Sequence, residues 1–172
     1  MNEIIKKNGI LFGIIIGTVA ILFQIIIYVS GEALYKNVYL GFLFTTLYWV
    51  IRIYQANKTK KELHNVITLK EVFTTLLIST SIGILISVSF NYVFYNFVAT
   101  DLKPEVNKFM NLKQLDIQKM FNKGNLDEDQ ILNFDNFAFG TLFKGAVFSI
   151  LISSIFNLIL AAIFKTKTSN QY

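Results

Sequence analysis

The most chemically loaded residue in this chain is an ionisable group set inside an apolar run, Lys144 in FGTLFKGAVFSIL. Within a bilayer such a group marks a functional site by default. Its neighbours at helical spacing are Phe137, Gly140, Phe148 and Leu151, and it stands only a turn or two past the start of its run. That placement favours snorkelling of the ammonium to the headgroups. Pairing with Asp135 or Asp101, or contact with an anionic lipid, are the alternatives. Asn91 and Asn157 are the most polar groups on two four-residue tracks of small residues, and they are expected to clamp neighbouring helices by hydrogen bonding, with a ligand site as the sharper alternative. Gln24 reads as joining the first helix to the rest.

Other reaction chemistry lacks its parts. The single histidine, His64, stands in a basic stretch, and the chain has no cysteine, so a zinc site lacks its usual ligands. The serines of ISTSIGILISVSF have no histidine or intramembrane lysine on the same helix to act as base, and no GxSxG occurs. No two carboxylates share an apolar run. The acidic DEDQ at 127–130 lacks the twelve-residue calcium-loop pattern and reads as a negatively charged first helical turn. The expectation is a protein that is not an enzyme, with no metal, no cofactor and no nucleic-acid partner.

Spacing is more informative than reactivity. Gly9, Gly13 and Gly17 recur every fourth residue among isoleucine, leucine and phenylalanine. In water each interior glycine weakens a helix by roughly 1 kcal/mol against alanine. In lipid a glycine lets a second backbone come close. The same spacing recurs as Thr75, Ser79, Gly83, Ser87 and Asn91, and again as Thr141, Gly145, Ser149, Ser153 and Asn157. Three small-residue tracks predict close helix packing, with a pore lining as the alternative.

These tracks need helices long enough to cross a membrane. With 53% hydrophobic and 16% charged residues over 172 positions and a mean hydropathy of +0.51, the chain is a membrane candidate. Apolar stretches near 9–29, 38–54, 72–98 and 137–164 each approach the roughly 20 helical residues that span a hydrocarbon core. The second is the shortest. The first reads as a retained anchor, because its run exceeds that of a signal peptide and no A-x-A site follows. Lys6, Lys7, Arg52, Lys58, Lys60, Lys61, Lys70, Lys165 and Lys167 fall on one side, so both termini are expected in the cytoplasm. Tyr28, Tyr35, Tyr39, Tyr92 and Tyr95 then mark the outer interface, with Trp49 and Tyr54 toward the inner one.

The segment near 99–136 is predicted to be helical and outside. Thr100 or Asp101 can cap a helix with Pro104 in its first turn, and Val106, Phe109, Met110, Ile117, Met120 and Phe121 give an imperfect apolar stripe. Lys123-Gly124 should end it. Asn125 with Glu128 then resembles a capping box opening a short helix through Ile131 and Leu132. About 38 residues do not easily build a separate core, so this hairpin should lie on the membrane surface, on its own bundle or on a partner.

The glycine-bearing start KKNGILFGIIIG, the run ITLKEVFTTLLISTSIGILISVSFNYVFYNFV and the last span ending AAIFKTK together resemble the bacterial family of four-span membrane proteins catalogued as domain of unknown function 4199. Members often carry glycines just before ITLKEVF, where this chain has His64-Asn65-Val66. The resemblance implies a multi-pass protein of the bacterial cytoplasmic membrane and carries no assigned activity. The expected architecture is all-α, with four transmembrane helices and an amphipathic helical segment between the third and fourth. The expected role is helix contact, with a copy of itself or as an accessory of a larger membrane protein; the alternative is a subunit of a small-solute transporter or channel.

Overall fold

The computed structural model describes residues 2–30, 38–121 and 127–166. Among them there is no strand. The helices are α1 (Glu3–Ser30), α2 (Val38–Glu62), α3 (Leu69–Val93), α4 (Lys103–Phe121), α5 (Glu128–Leu132) and α6 (Phe139–Phe164), with a π-helical turn at Phe94–Val98 running on from α3. Three stretches, Glu3–Ser30, Leu69–Val98 and Phe139–Phe164, are long and apolar enough to cross a membrane. They point to insertion in a bilayer. Two compact units result: Met1–Ser87 with Ala146–Tyr172, and Val88–Gly145.

Helix α2 departs from the predicted span. It has 25 residues, the same as α3, and continues past 54 to Glu62. The lysines read as an inner loop form its last turns, where Lys60 and Lys61 complement the negative end of the helix dipole. Its end is set by a Schellman motif: the Asn65 N–H donates to the Lys60 carbonyl at 2.9 Å and the His64 N–H to the Lys61 carbonyl at 3.1 Å. This closure needs a left-handed residue after the cap. His64 supplies it at φ 55° and Asn65 follows at φ 64°. The tight turn that glycine usually makes is therefore built here by histidine and asparagine.

Helix α3 opens on a capping box within ITLKE. The Thr68 N–H and hydroxyl both donate to Glu71 Oε2 at 2.9 Å, and the Glu71 N–H donates back to Thr68 Oγ1 at 3.3 Å. The other end of the chain closes on this turn: the Thr166 hydroxyl donates to the Asn65 carbonyl at 2.7 Å and accepts from the Ile67 N–H at 3.1 Å. The Thr166 N–H completes the tie on the Ile67 carbonyl at 2.9 Å. ITLKEVF and AAIFKTK thus meet in one place.

In the second unit the Ala99 N–H reaches back five residues to the Phe94 carbonyl at 2.7 Å, which makes the π turn. Tyr95 stacks on Phe137 with ring centroids 3.9 Å apart. Pro104 lies in the first turn of α4, as predicted. The cap of α5 is Asp127, whose carboxylate accepts from the Gln130 N–H at 3.1 Å; the predicted partner Asn125 and the Lys123-Gly124 stop lie outside the described residues. The aspartate sits two residues closer to the helix than Asn125 and caps the N–H of Gln130.

Candidate functional site

The glycine track of α1 lies against α3. A Cβ built on Gly9 would stand 2.8 Å from Ile78 Cβ, one on Gly13 2.7 Å from Ile82 Cβ, and one on Gly17 2.7 Å from Ile86 Cβ. The contact is reciprocal, because a Cβ on Gly83 would stand 2.6 Å from Ile16 Cγ2. The paired numbers rise together, so α1 and α3 run parallel and mesh one residue per turn. Isoleucine ridges fill the glycine grooves, which is the close approach that small residues permit.

Helix α2 lies antiparallel to α1, with Phe23 against Phe44 at 4.8 Å and Phe12 against Tyr54 at 5.9 Å between ring centroids. A buried polar girdle ties these helices. Asn8 Nδ2 donates to Thr59 Oγ1 at 3.2 Å and to Glu62 Oε2 at 2.7 Å. Gln55 Nε2 donates to the Thr75 carbonyl at 3.1 Å, and the Ser79 hydroxyl donates to Gln55 Oε1 at 2.8 Å. Asn8, Gln55, Thr59, Thr75 and Ser79 are all buried. Beside the girdle, Ala56, Ile67, Val72, Leu76, Leu160 and Ala161 form the apolar core of the unit.

One turn along each helix from Ala56, Leu76 and Ala161 stand Arg52, Thr80 and Asn157, all buried. Asn157 Nδ2 reaches Thr80 Oγ1 at 3.5 Å, a weak contact, and its Oδ1 has no partner. Arg52 is 1% exposed; its guanidinium carbon lies 5.0 Å from the Tyr48 ring centroid and 5.4 Å from that of Trp49. Two of its nitrogens, Nε and Nη2, have no hydrogen-bond partner among the described residues. A further turn along the same helices lies a cavity of about 240 Å³, with Tyr48, Ile84 and Ser153 in its wall beside Thr45, Ser87 and Ser149.

The predicted residues divide by position. Gly9, Gly13, Gly17, Ser79 and Gly83 are buried between helices; Ser87 and Ser153 are half-buried at the cavity, and Asn157 is buried beside Thr80. The fourth-span track is different: Gly145 has nothing within 4 Å of where a Cβ would stand, and Ser149 is exposed. The buried positions of α6 are Ala146, Asn157, Leu160 and Ala161, so alanine, one register over from Gly145, makes the close approach. Lys144 is exposed and makes no ion pair among the described residues, while Asp135, its suggested partner, is held by Lys103 at 2.8 Å. Asn91 is half-buried and makes no hydrogen bond among the described residues.

In the second unit the role foreseen for Asn91 belongs to Asn96. Its Nδ2 donates to the Tyr92 and Phe137 carbonyls, each at 2.9 Å, and its Oδ1 accepts from Lys103 Nζ at 2.8 Å. Asn107 and Asn111, one turn apart on α4, both donate to the Phe134 carbonyl at 2.8 Å and both accept from Asn136. The inward face of α4 is therefore Lys103, Asn107, Asn111 and Leu115 with Val106; of the predicted stripe, Met110, Ile117 and Met120 are exposed. Burial raises the Asp135 carboxyl, but the Lys103 hydrogen bond, the Phe137 N–H and the Lys103 charge outweigh it and hold it below the usual carboxylate range.

Arg52, Gln55, Thr59 and Asn8 were not singled out as a site from sequence. A signal existed, since Arg52, Gln55, Ala56 and Thr59 follow the i, i+3, i+4, i+7 spacing of one helical face. It was hidden by the assumption that α2 ends at 54. The family described as "Protein of unknown function (DUF4199)" matches residues 11–166. The chain belongs to that family. The match takes in the α1–α3 seam from Gly13 onward, the Arg52 layer and the Thr166 tie. No curated protein and no solved structure matches the chain.

Proposed function

We propose that this DUF4199 protein is a four-span, non-enzymatic component of the bacterial cytoplasmic membrane, with both termini in the cytoplasm, acting through helix contacts with a second copy or a larger membrane protein. The fourth span is α2. Between Phe23–Phe44 and Phe12–Tyr54 it runs beside eleven residues of α1, about 16 Å of helix. A helix lying along a spanning helix over that distance shares its depth. Arg52, the Thr45-Thr46 pair and the Tyr48-Trp49 pair lower its hydropathy without shortening it.

The observation that carries the contact role is how little of α6 is buried. Over 26 residues it buries four positions, whereas α1 buries seven over 28. Phe148, Leu151 and Ile155 form an exposed apolar ridge at 64%, 61% and 56%. Exposed Met110, Ile117 and Met120 on α4 offer a second apolar surface, suited to headgroups or a partner. The chain has no native cysteine, so Leu151→Cys gives a single reporter. Oxidation in native membranes is expected to give a dimer of twice the chain mass, or one reproducible adduct with another membrane protein. Monomer alone, from both Leu151→Cys and Ile155→Cys, overturns the reading.

A further inference from the structure

Arg52 stands out among the buried polar groups because its free edge has a definite shape. Nε and Nη2 lie on the same side of the planar guanidinium, and their N–H bonds point in parallel. That pair is the fork that receives both oxygens of a carboxylate or phosphate side-on. Both of its nitrogens are buried without a partner, on a side chain 1% exposed. The guanidinium carbon lies over the Tyr48 ring at 5.0 Å and over the Trp49 ring at 5.4 Å, contacts that give Nε and Nη2 no hydrogen-bond acceptor. The chain offers no carboxylate at this depth, because none occurs in 38–61, 72–98 or 137–164.

The space beside this layer fits the body of such a guest. The cavity of about 240 Å³ begins one helical turn from Arg52, Thr80 and Asn157, and Tyr48 belongs to both. Ile16, Phe44 and Ile84 give it apolar wall, and Ser87 and Ser153 add hydroxyls. We infer that Arg52 is the anchor of a binding site for an amphiphilic oxyanion, a carboxylate or phosphate whose two oxygens take the Nε–Nη2 fork while its apolar chain occupies the adjoining cavity. The oxyanion can belong to a free long-chain fatty acid or to the phosphate headgroup of an anionic lipid. The inference stands apart from the contact role proposed above, since it rests on Arg52 and not on the outer ridge of α6.

Trp49 is the chain's one tryptophan and lies against the guanidinium, so it reports occupancy directly. The full chain in dodecyl maltoside micelles is titrated with a dibrominated long-chain fatty acid or with dibrominated phosphatidic acid, the matching brominated alcohol and brominated diacylglycerol, which carry no oxyanion, being the neutral references. Saturable quenching by one or both anions, beyond that of its neutral reference, is expected; which anion saturates at lower concentration identifies the source. Arg52→Lys keeps the charge and removes the fork, and should weaken saturable quenching at least about tenfold. Ser153→Leu fills the cavity without touching the guanidinium and should abolish it. Equal quenching by acids and neutral references in the unaltered protein overturns the site. So does wild-type saturation in either variant that folds.

Discussion

The α1–α3 seam makes a prediction whose size can be read from contact distances. Gly13→Ala adds one methyl group 2.7 Å from Ile82 Cβ and 3.1 Å from the Ser79 carbonyl oxygen. Carbon pairs rest at about 3.5–4.0 Å. Both obstructing atoms are fixed to the α3 backbone, so no rotamer change makes room, and the helices must part by roughly 1 Å. A gap of that size forfeits about a quarter to a half of the dispersion energy at each facing atom, and overpacking of this kind costs about 1–3 kcal/mol. Alanine's better helix propensity works the other way by about 1 kcal/mol. Gly41→Ala isolates that opposing effect, because Gly41 has nothing within 4 Å of its missing Cβ. The predicted quantity is therefore a difference: Gly13→Ala is less stable than Gly41→Ala by about 1–3 kcal/mol. Unfolding of the purified protein in mixed micelles by increasing dodecyl sulfate, followed by far-UV circular dichroism, measures it. Gly13→Leu should exceed this loss and Ile15→Leu should be silent. Equal stability of the two alanine variants would mean that the seam is not a close contact in the protein, and the account of the glycines would fail.

Two further outcomes follow from the turn and the second unit. At φ 55° His64 occupies a region that costs an L-residue about 1–2 kcal/mol, and glycine removes that strain while adding about 0.4–1 kcal/mol of unfolded-state entropy. His64→Gly should therefore raise the thermal midpoint in detergent, and a fall would refute the Schellman reading of the α2 end. The Asp135 carboxyl is held below its ordinary value, so its contribution to stability is present above its unfolded pKa of about 3.9 and is lost as pH falls through the folded value. Amide protection factors in 99–121 and 127–137, taken against the intrinsic exchange rate at each pH, should fall in acid in the unaltered protein, while Asp135→Asn should be less protected at neutral pH and lose that acid dependence; identical profiles would remove the Lys103–Asp135 pair from the account.

What the sequence made legible is what period and composition encode. Long apolar runs place α1, α3 and α6, and a four-residue glycine spacing places the face of α1 that α3 touches. The end of α2 was missed because lysines were read as loop, although Lys58–Glu62 carries good helix formers and the first backbone reversal comes only at His64-Asn65. On α6 the track holds at Ser153 and Asn157 but is one position off at Gly145, since Gly145 and Ala146 are both small and spacing alone does not rank them. On α4 the buried face is carried by asparagines, which an apolar-stripe reading passes over. Asn107 and Asn111 donate to carbonyls of Leu132 and Phe134 and accept from Asn136, and that chain segment has no periodicity to announce it.

The same physics explains why Arg52 differs from the rest of the girdle. A buried guanidinium costs several kcal/mol in desolvation even after relaxation. Its two aromatic contacts offset about 0.5–2 kcal/mol each, and every buried donor left unmet adds about 1–3 kcal/mol to the deficit. Asn8 and Gln55 avoid that deficit by reaching Glu62, Thr59, Thr75 and Ser79. A residue there for packing alone would be cheaper as methionine or leucine, which fill similar volume and carry no donors. Two oxygens held as far apart as those of a carboxylate or phosphate meet the parallel pair together. On the proposed reading such an acceptor comes from outside the chain, and the cavity one turn away receives its remaining atoms.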